Sequence, residues 1–206
     1  VMAAYSVRRI NLFYSGPLMK IRRESDNATL DVYYTVKNEL DITAITAFIG
    51  SSSAYITTWY DQSGNGNDAV QTNPSYQPKI VDKGSISKQN SVPSIYFNGG
   101  QTLRYVNATV LGNFAHSLNS VGRADDCTGN FVALSGTQTA NRNSCLGSGN
   151  NSVTGCVGAI WIGGYGQDIG YQARYSLLQI ALPALAVRTK TYNISGAMQG
   201  YIDRTS

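Results

Sequence analysis

The residues best able to do chemistry cluster between Thr57 and Asp68, in the run TTWYDQSGNGND. Trp59 and Tyr60 offer flat apolar faces with a polar edge, while Asp61, Gln62, Asn65, Asn67 and Asp68 supply hydrogen-bond donors and acceptors. That mixture suits a sugar ring. The candidate ligand site is Trp59, Asp61, Gln62, Asn65, Asn67 and Asp68, joined by Tyr165 and Asp168 from a later glycine-rich turn. Neighbours in a strand point to opposite faces, so Trp59 and Tyr60 cannot share one surface and one of them belongs to the core.

Calcium is a competing chemistry. Asp61, Ser63, Asn65 and Gly66 fill positions one, three, five and six of a calcium loop, but position twelve is Thr72, where an EF-hand needs a bidentate glutamate. An EF-hand is therefore excluded. A looser calcium site on Asp61 and Asp68 is the single cofactor option; otherwise no cofactor or metal is expected. A plain turn explains the same residues: Ser63 to Asn67 tolerate positive φ, and Asp61 can tie the backbone down. Turn chemistry accounts for every residue type and is the preferred reading.

Elsewhere the chemistry is sparse. The glutamates are Glu24 and Glu39, and after residue 84 the acids are Asp125, Asp126, Asp168 and Asp203. His116 has no evident nucleophile partner, and a triad cannot be read from residue order. Cys127, Cys145 and Cys156 leave at least one thiol unpaired within a monomer and lack zinc-ribbon spacing. Gly163-Gly164-Tyr165-Gly166 precedes no clear helix, which makes a phosphate loop very weak. No catalytic residue is assigned.

The elements that must position these groups are strands. Of the 206 residues 42% are hydrophobic and only 14% charged, against about 25% charged in average globular chains. The deficit is filled by Ser, Thr, Asn, Gln, Gly and Tyr, which favour strands joined by polar turns. Strands are predicted at 4–10, 18–23, 30–36, 54–60, 94–97, 103–106, 131–134, 157–162, 177–182 and 200–203, with turns at 98–100 and 147–151. In 54–60, Tyr55, Thr57 and Trp59 alternate with Ala54, Ile56, Thr58 and Tyr60. Ile42, Ile45, Phe48 and Ile49 instead follow helical spacing, with Asp41 as N-cap and Gly50 as exit, giving one short helix near residues 41–49.

This pattern predicts an all-β fold, a β-sandwich or jelly roll. Residues 1–206 read as a single domain, a fragment of a longer chain, with an exposed loop-rich region at 122–155. The net charge of +4 sits mostly in Arg8-Arg9 and Lys20, Arg22 and Arg23, without the stripe or module of a nucleic-acid binder. No apolar run reaches the roughly 18 residues of a membrane span. N-glycosylation triplets occur at Asn27, Asn107, Asn150 and Asn193.

Tyr60-Asp61-Gln62-Ser63-Gly64-Asn65-Gly66-Asn67 resembles a motif in the catalytic domain of arabinofuranosidase B-type α-L-arabinofuranosidases. The likeness extends through Ala4 to Arg9 and Ile21 to Asn27 and is best over residues 1–84, fading beyond into a generic concanavalin A-like, laminin-G-like pattern. The resemblance implies a concanavalin A-like sandwich and a glutamate nucleophile late in the domain, with an aspartate further on. No late glutamate exists here. The family's adjacent cysteine pair is also missing, and Ile49 and Ala54 stand where a disulfide of the secreted fungal form is expected.

Similar openings occur in phage virion and tail proteins. The expectation is accordingly a non-catalytic structural or carbohydrate-recognition module of a larger virion or surface protein, such as a phage tail fibre, head fibre or capsid-decorating protein. It would sit in a virion or outside the cell and meet a cell-surface or plant-type glycan, other virion subunits or copies of itself. Neither nucleic acid nor membrane is expected as a partner. The alternative is a secreted α-L-arabinofuranosidase-type glycoside hydrolase.

Overall fold

A computed structural model describes residues 3–98 and 100–104 with their side chains and, beyond them, the backbone of seven strands. The chain divides into two compact units, Val1–Asn107 and Ala108–Ser206. Among the described residues every strand pairing is antiparallel, and there is one α-helix. No helix is long and apolar enough to cross a membrane among the described residues.

The first unit is built on β1 (Met19–Arg23), β2 (Thr29–Val32), α1 (Ile42–Ile49), β3 (Ala54–Trp59), β4 (Ala69–Val70), β5 (Lys79–Asp82) and β6 (Ser85–Ile86). Its sheet runs β2-β1-β3-β5-β6, with β4 also pairing to β3. A separate hairpin joins β7 (Lys88–Gln89) to β8 (Val92–Pro93). Its turn residues Asn90 and Ser91 both have positive φ, the geometry whose twist matches that of paired strands. The helix forms where its spacing predicts. Asp41 accepts from the Ala44 amide at 3.0 Å, and Gly50 closes the last turn onto the Thr46 carbonyl at a φ of 58°. Ile45 and Ile49, four residues apart, are its buried face.

These two join Leu18, Met19, Ile21, Val32, Leu40, Ala54, Ile56, Ile80 and Val81 in one apolar cluster. Each large aliphatic chain buried there contributes about 1.5–3 kcal/mol of apolar transfer. Trp59, Leu30 and Phe48 pack against the cluster from its margin.

Pairing fixes which residues share a face, because directly opposed residues project to the same side. Met19 lies opposite Val32 and Trp59, and Ile21 lies opposite Leu30 and Ile56. Ile56 and Trp59 therefore share the core face although they lie three positions apart. The register steps between Lys20, opposite Thr58, and Ile21, opposite Ile56, so Thr57 is the extra residue of a β-bulge. Simple alternation placed Trp59 opposite Ile56; the bulge reverses that assignment. A second step lies between β3 and β5, where Ala54 faces Val81 and Tyr55 faces Lys79.

Other expectations change as well. Residues 4–10 are not a strand; they hold a single bridge, Arg8 to Glu39. Residues 94–97 keep only the Tyr96–Lys79 bridge, and within 103–106 Arg104 bridges Val70. The strand predicted to reach Val36 ends at Val32, followed by a Tyr34–Leu40 bridge. Strands β4 to β8, only 2–4 residues each, carry too few residues for a periodic signal.

The second unit contains β9 (His116–Gly122), β10 (Phe131–Ser135), β11 (Asn143–Asn151), β12 (Gly155–Gly163), β13 (Leu178–Gln179), β14 (Ala186–Tyr192) and β15 (Met198–Asp203). One sheet runs β10-β11-β12-β13 and another β15-β14-β9. The turn expected at 147–151 is instead the end of β11, paired residue by residue with β12. Its glycines and asparagines are poor strand formers, and the pairing overrides that propensity.

Candidate functional site

Strand β3 delivers the motif. As it ends at Trp59, the chain enters a turn in which Gly64 and Gly66 take φ values of 90° and 72°, the left-handed region that a side chain disfavours. The Asp61 carboxylate, 2% exposed, organises the turn. One oxygen accepts from the Ala4 and Ser63 amides, each at 2.8 Å. The other accepts from Ser63 Oγ at 2.6 Å and from the Asn67 amide at 3.1 Å. Burial alone would push this carboxyl up, but the bonds from Ser63, Ala4 and Asn67 outweigh it and hold it below the usual carboxylate range. A cation at Asp61 would have to displace those donors.

Gln62 is wholly buried and reaches the other way. Its Oε1 accepts from the Ile10 amide at 2.8 Å, and its Nε2 donates to the carbonyls of Arg8 at 3.0 Å and Ser6 at 3.3 Å. Its backbone amide donates to the Ala4 carbonyl at 2.7 Å, and its own carbonyl accepts from Asn11 Nδ2, also at 2.7 Å. Trp59 Nε1 donates to Ser6 O at 3.1 Å, and the Tyr5 and Trp59 rings lie 5.6 Å apart. The Tyr5 hydroxyl donates to the Asn67 carbonyl. Residues 4–11 are thus a strap, fastened by side chains of the motif where a strand would be fastened by a ladder.

The six described residues of the candidate set do come together, with different exposures. Trp59 leans on the core, Asp61, Gln62 and Asn67 are buried, Asp68 is half-buried and accepts from the Asp61 amide at 2.9 Å, and Asn65 is exposed. Tyr165 and Asp168 lie outside the described residues. Among the described residues no three His, Cys, Asp or Glu side chains converge to hold a metal.

A polar group beside the motif escapes sequence reasoning. Tyr60 projects away from the core, and its hydroxyl donates to Asp31 Oδ1 at 2.8 Å, with Lys20 Nζ 3.7 Å from the same oxygen. Lys20 and Asp31 are opposed across β1 and β2 and their side chains are 38% and 40% exposed, so the group is open to solvent. Burial, then the hydrogen bond and charge of Asp31, push the Tyr60 phenol far up and keep it a donor. Tyr14 is pushed up to about 12, by burial first and then by the Asp68 and Asp61 charges. The register that joins Lys20 to Asp31 is the missing signal; nothing local announces it. Further along, the Tyr55 ring lies between the Arg22 guanidinium, at 5.2 Å, and Lys79 Nζ, at 5.7 Å.

Comparison with known proteins places this geometry. The family described as "Alpha-L-arabinofuranosidase B, catalytic" matches residues 1–157, running past the residue-84 limit of the likeness visible in sequence. Alpha-L-arabinofuranosidase B of Penicillium canescens is 27% identical over 75% of this chain and 34% of its own length. The enzyme of that name from Emericella nidulans is 28% identical over 82% and 36%, and that of Aspergillus niger 26% over 98% and 40%. The chain thus spans little more than a third of these relatives.

Among solved structures, a GH54 α-L-arabinofuranosidase soaked with a cyclic sulfate inhibitor aligns with a TM-score of 0.63 at 19% identity, over 98% of this chain and 50% of that one. An arabinofuranosidase complexed with arabinofuranosyl-α-1,2-xylobiose aligns with a TM-score of 0.60 at 18% identity, over 97% and 48%. That likeness supports the all-β sandwich with one short helix. The expectation of a non-catalytic virion or surface module is overturned, because the match runs through a glycosidase catalytic domain and none of these relatives is a fibre, tail or capsid protein. The chain belongs to the α-L-arabinofuranosidase B catalytic-domain family.

Proposed function

We propose that the chain is part of an α-L-arabinofuranosidase-type glycoside hydrolase acting on arabinofuranosyl-bearing, plant-type glycans. The observation that carries this reading is the family match over residues 1–157. A polymeric substrate of that kind places the enzyme outside the cell. Glycoside hydrolysis uses two carboxyl groups, about 5–5.5 Å apart for retention and more widely spaced for inversion. Several carboxylates of the first unit are already engaged: Asp61 in its turn, Asp26 with Arg23, Asp82 with Lys79, and Asp31 with Tyr60 and Lys20. We assign the reacting pair to the later acids Asp125, Asp126 and Asp168, with aspartate in the place of the family's late glutamate.

In this reading the first unit is mainly scaffold. Asn65, Asp68 and the Tyr60–Asp31–Lys20 group are accessible polar side chains near the motif. The test is release of 4-nitrophenol from 4-nitrophenyl α-L-arabinofuranoside by the purified protein. Release above a protein-free blank is expected, falling at least ~100-fold in Asp125→Asn or Asp168→Asn. No release from the folded wild type, or full activity in both variants, would overturn the reading.

A further inference from the structure

Of the four triplets that the function leaves unused, Asn27-Ala28-Thr29 is the one that lies wholly within the described residues. It sits at the tip of the β1–β2 hairpin, where Glu24, Ser25, Asp26 and Asn27 are consecutively exposed and Thr29, the first residue of β2, is exposed too. The tip is well built. Arg23 and Ala28 are joined by a backbone hydrogen bond of 2.8 Å, the Asn27 amide donates to the Arg23 carbonyl at 3.0 Å, and Asp26 accepts from the Ala28 amide at 3.1 Å. Asn27 itself has a φ of 59°, a left-handed position that asparagine tolerates better than most residues.

The Asn27 side chain is oriented by Arg22, whose Nη1 donates to Oδ1 at 2.8 Å. Arginine has only donors, so the oxygen must face it and the amide nitrogen must point the other way. That nitrogen makes no hydrogen bond among the described residues and lies on an exposed loop. Arg22 is itself held by Gln77 Oε1 at 2.9 Å, so the orientation is fixed from below.

The geometry points to Asn27 as an acceptor for an N-linked oligosaccharide, a modification distinct from the hydrolase reading and not dependent on it. In the transfer, a bond forms between Asn27 Nδ2 and C1 of the first sugar. The bond from C1 to a lipid pyrophosphate breaks, the pyrophosphate leaves with the electron pair, and one amide proton passes to a base of the transferase. No electrons are gained or lost. The donor is a polyprenyl-pyrophosphate oligosaccharide. A glycan on this tip points away from the apolar cluster, so the fold accommodates it. Its bulk would flank Arg22 and Tyr55.

The full chain, secreted from a yeast or translated with microsomes, tests this. Peptide mass spectrometry is expected to find glycan on the Asn27 peptide, removable by endoglycosidase. Asn27→Gln and Thr29→Ala should abolish that occupancy, while Thr29→Ser, which keeps the triplet, should retain it. Glycosylated and deglycosylated protein should melt within about 2 °C of each other. An unmodified Asn27 peptide, including the case where Asn107, Asn150 or Asn193 is modified, overturns the proposal. So does a glycosylated form that fails to fold. None of these readouts depends on arabinofuranosidase activity.

Discussion

Residues 4–10 and Met19–Arg23 look alike in sequence, two short β-prone runs carrying adjacent arginines, yet only the second is a strand. Met19–Arg23 has a ladder on each side, β2 on one and β3 on the other. The first run has one bridge, and the backbone groups of Ala4, Ser6, Arg8 and Ile10 are met by Asp61, Gln62 and Trp59. Both solutions satisfy backbone polar groups, which in the strap are only partly buried. They differ in where the specificity is stored. A ladder stores it in the backbone and tolerates side-chain change, whereas the strap stores it in a few side chains and fails if they change.

Three perturbations of decreasing size probe this contrast. The largest is Ile21→Ala. It opens a cavity in the apolar cluster under β1, is expected to cost about 4 kcal/mol, and should lower the urea midpoint of the whole first unit, ladder and strap together. Loss of protection confined to one of the segments 4–10 and 19–23 in that variant would show that the two do not share the cluster's support.

Next comes Asp61→Ala. It strips the acceptor from the Ala4, Ser63 and Asn67 amides and should cost about 3 kcal/mol, with amide exchange rising over residues 4–11 well before residues 19–23. Acid should mimic it. The folded carboxyl lies below its ordinary value of about 3.9, so its stabilisation is complete above that pH and is lost as pH falls from there toward the lower folded value. Faster strap exchange below about pH 4 in the wild type, with no such step in Asp61→Asn, is the expected profile. An identical acid response in both would show that another group holds the strap.

The smallest effect belongs to Gln62→Ala. Losing the bracket to Ile10, Arg8 and Ser6 should cost about 2 kcal/mol and accelerate exchange chiefly at the Ile10 amide. Trp59 emission should shift to the red as Ser6 moves off the indole nitrogen. Unchanged exchange at Ile10 would leave the strap dependent on Asp61 alone.

Sequence reading succeeded where the pattern is local. The helix was legible from Ile42, Ile45 and Ile49 between a capping aspartate and a glycine, and β1 and β3 from runs long enough to alternate. It failed where structure depends on distant partners. The strap owes its conformation to a glutamine more than fifty residues away, with |i−j| of 52 between Ile10 and Gln62. The Tyr60–Asp31–Lys20 group needs a register that no window contains. The motif was correctly read as a turn held by Asp61 and freed by Gly64 and Gly66, but its second task, gripping the N-terminal segment, had no local sign.

The bulge at Thr57 has a consequence for the comparison of related chains. Every residue after it is counted from an odd step, so the sidedness of Trp59 and Tyr60 is decided before the motif begins. Removing Thr57 together with the bulge would leave Ile56 and Trp59 two positions apart in plain alternation, so the indole keeps its side. Keeping Thr57 but flattening the bulge would instead turn the indole outward and the phenol inward. Two chains can therefore share the motif letter for letter and present it oppositely, according to whether a bulge absorbs the odd spacing from Ile56 to Trp59.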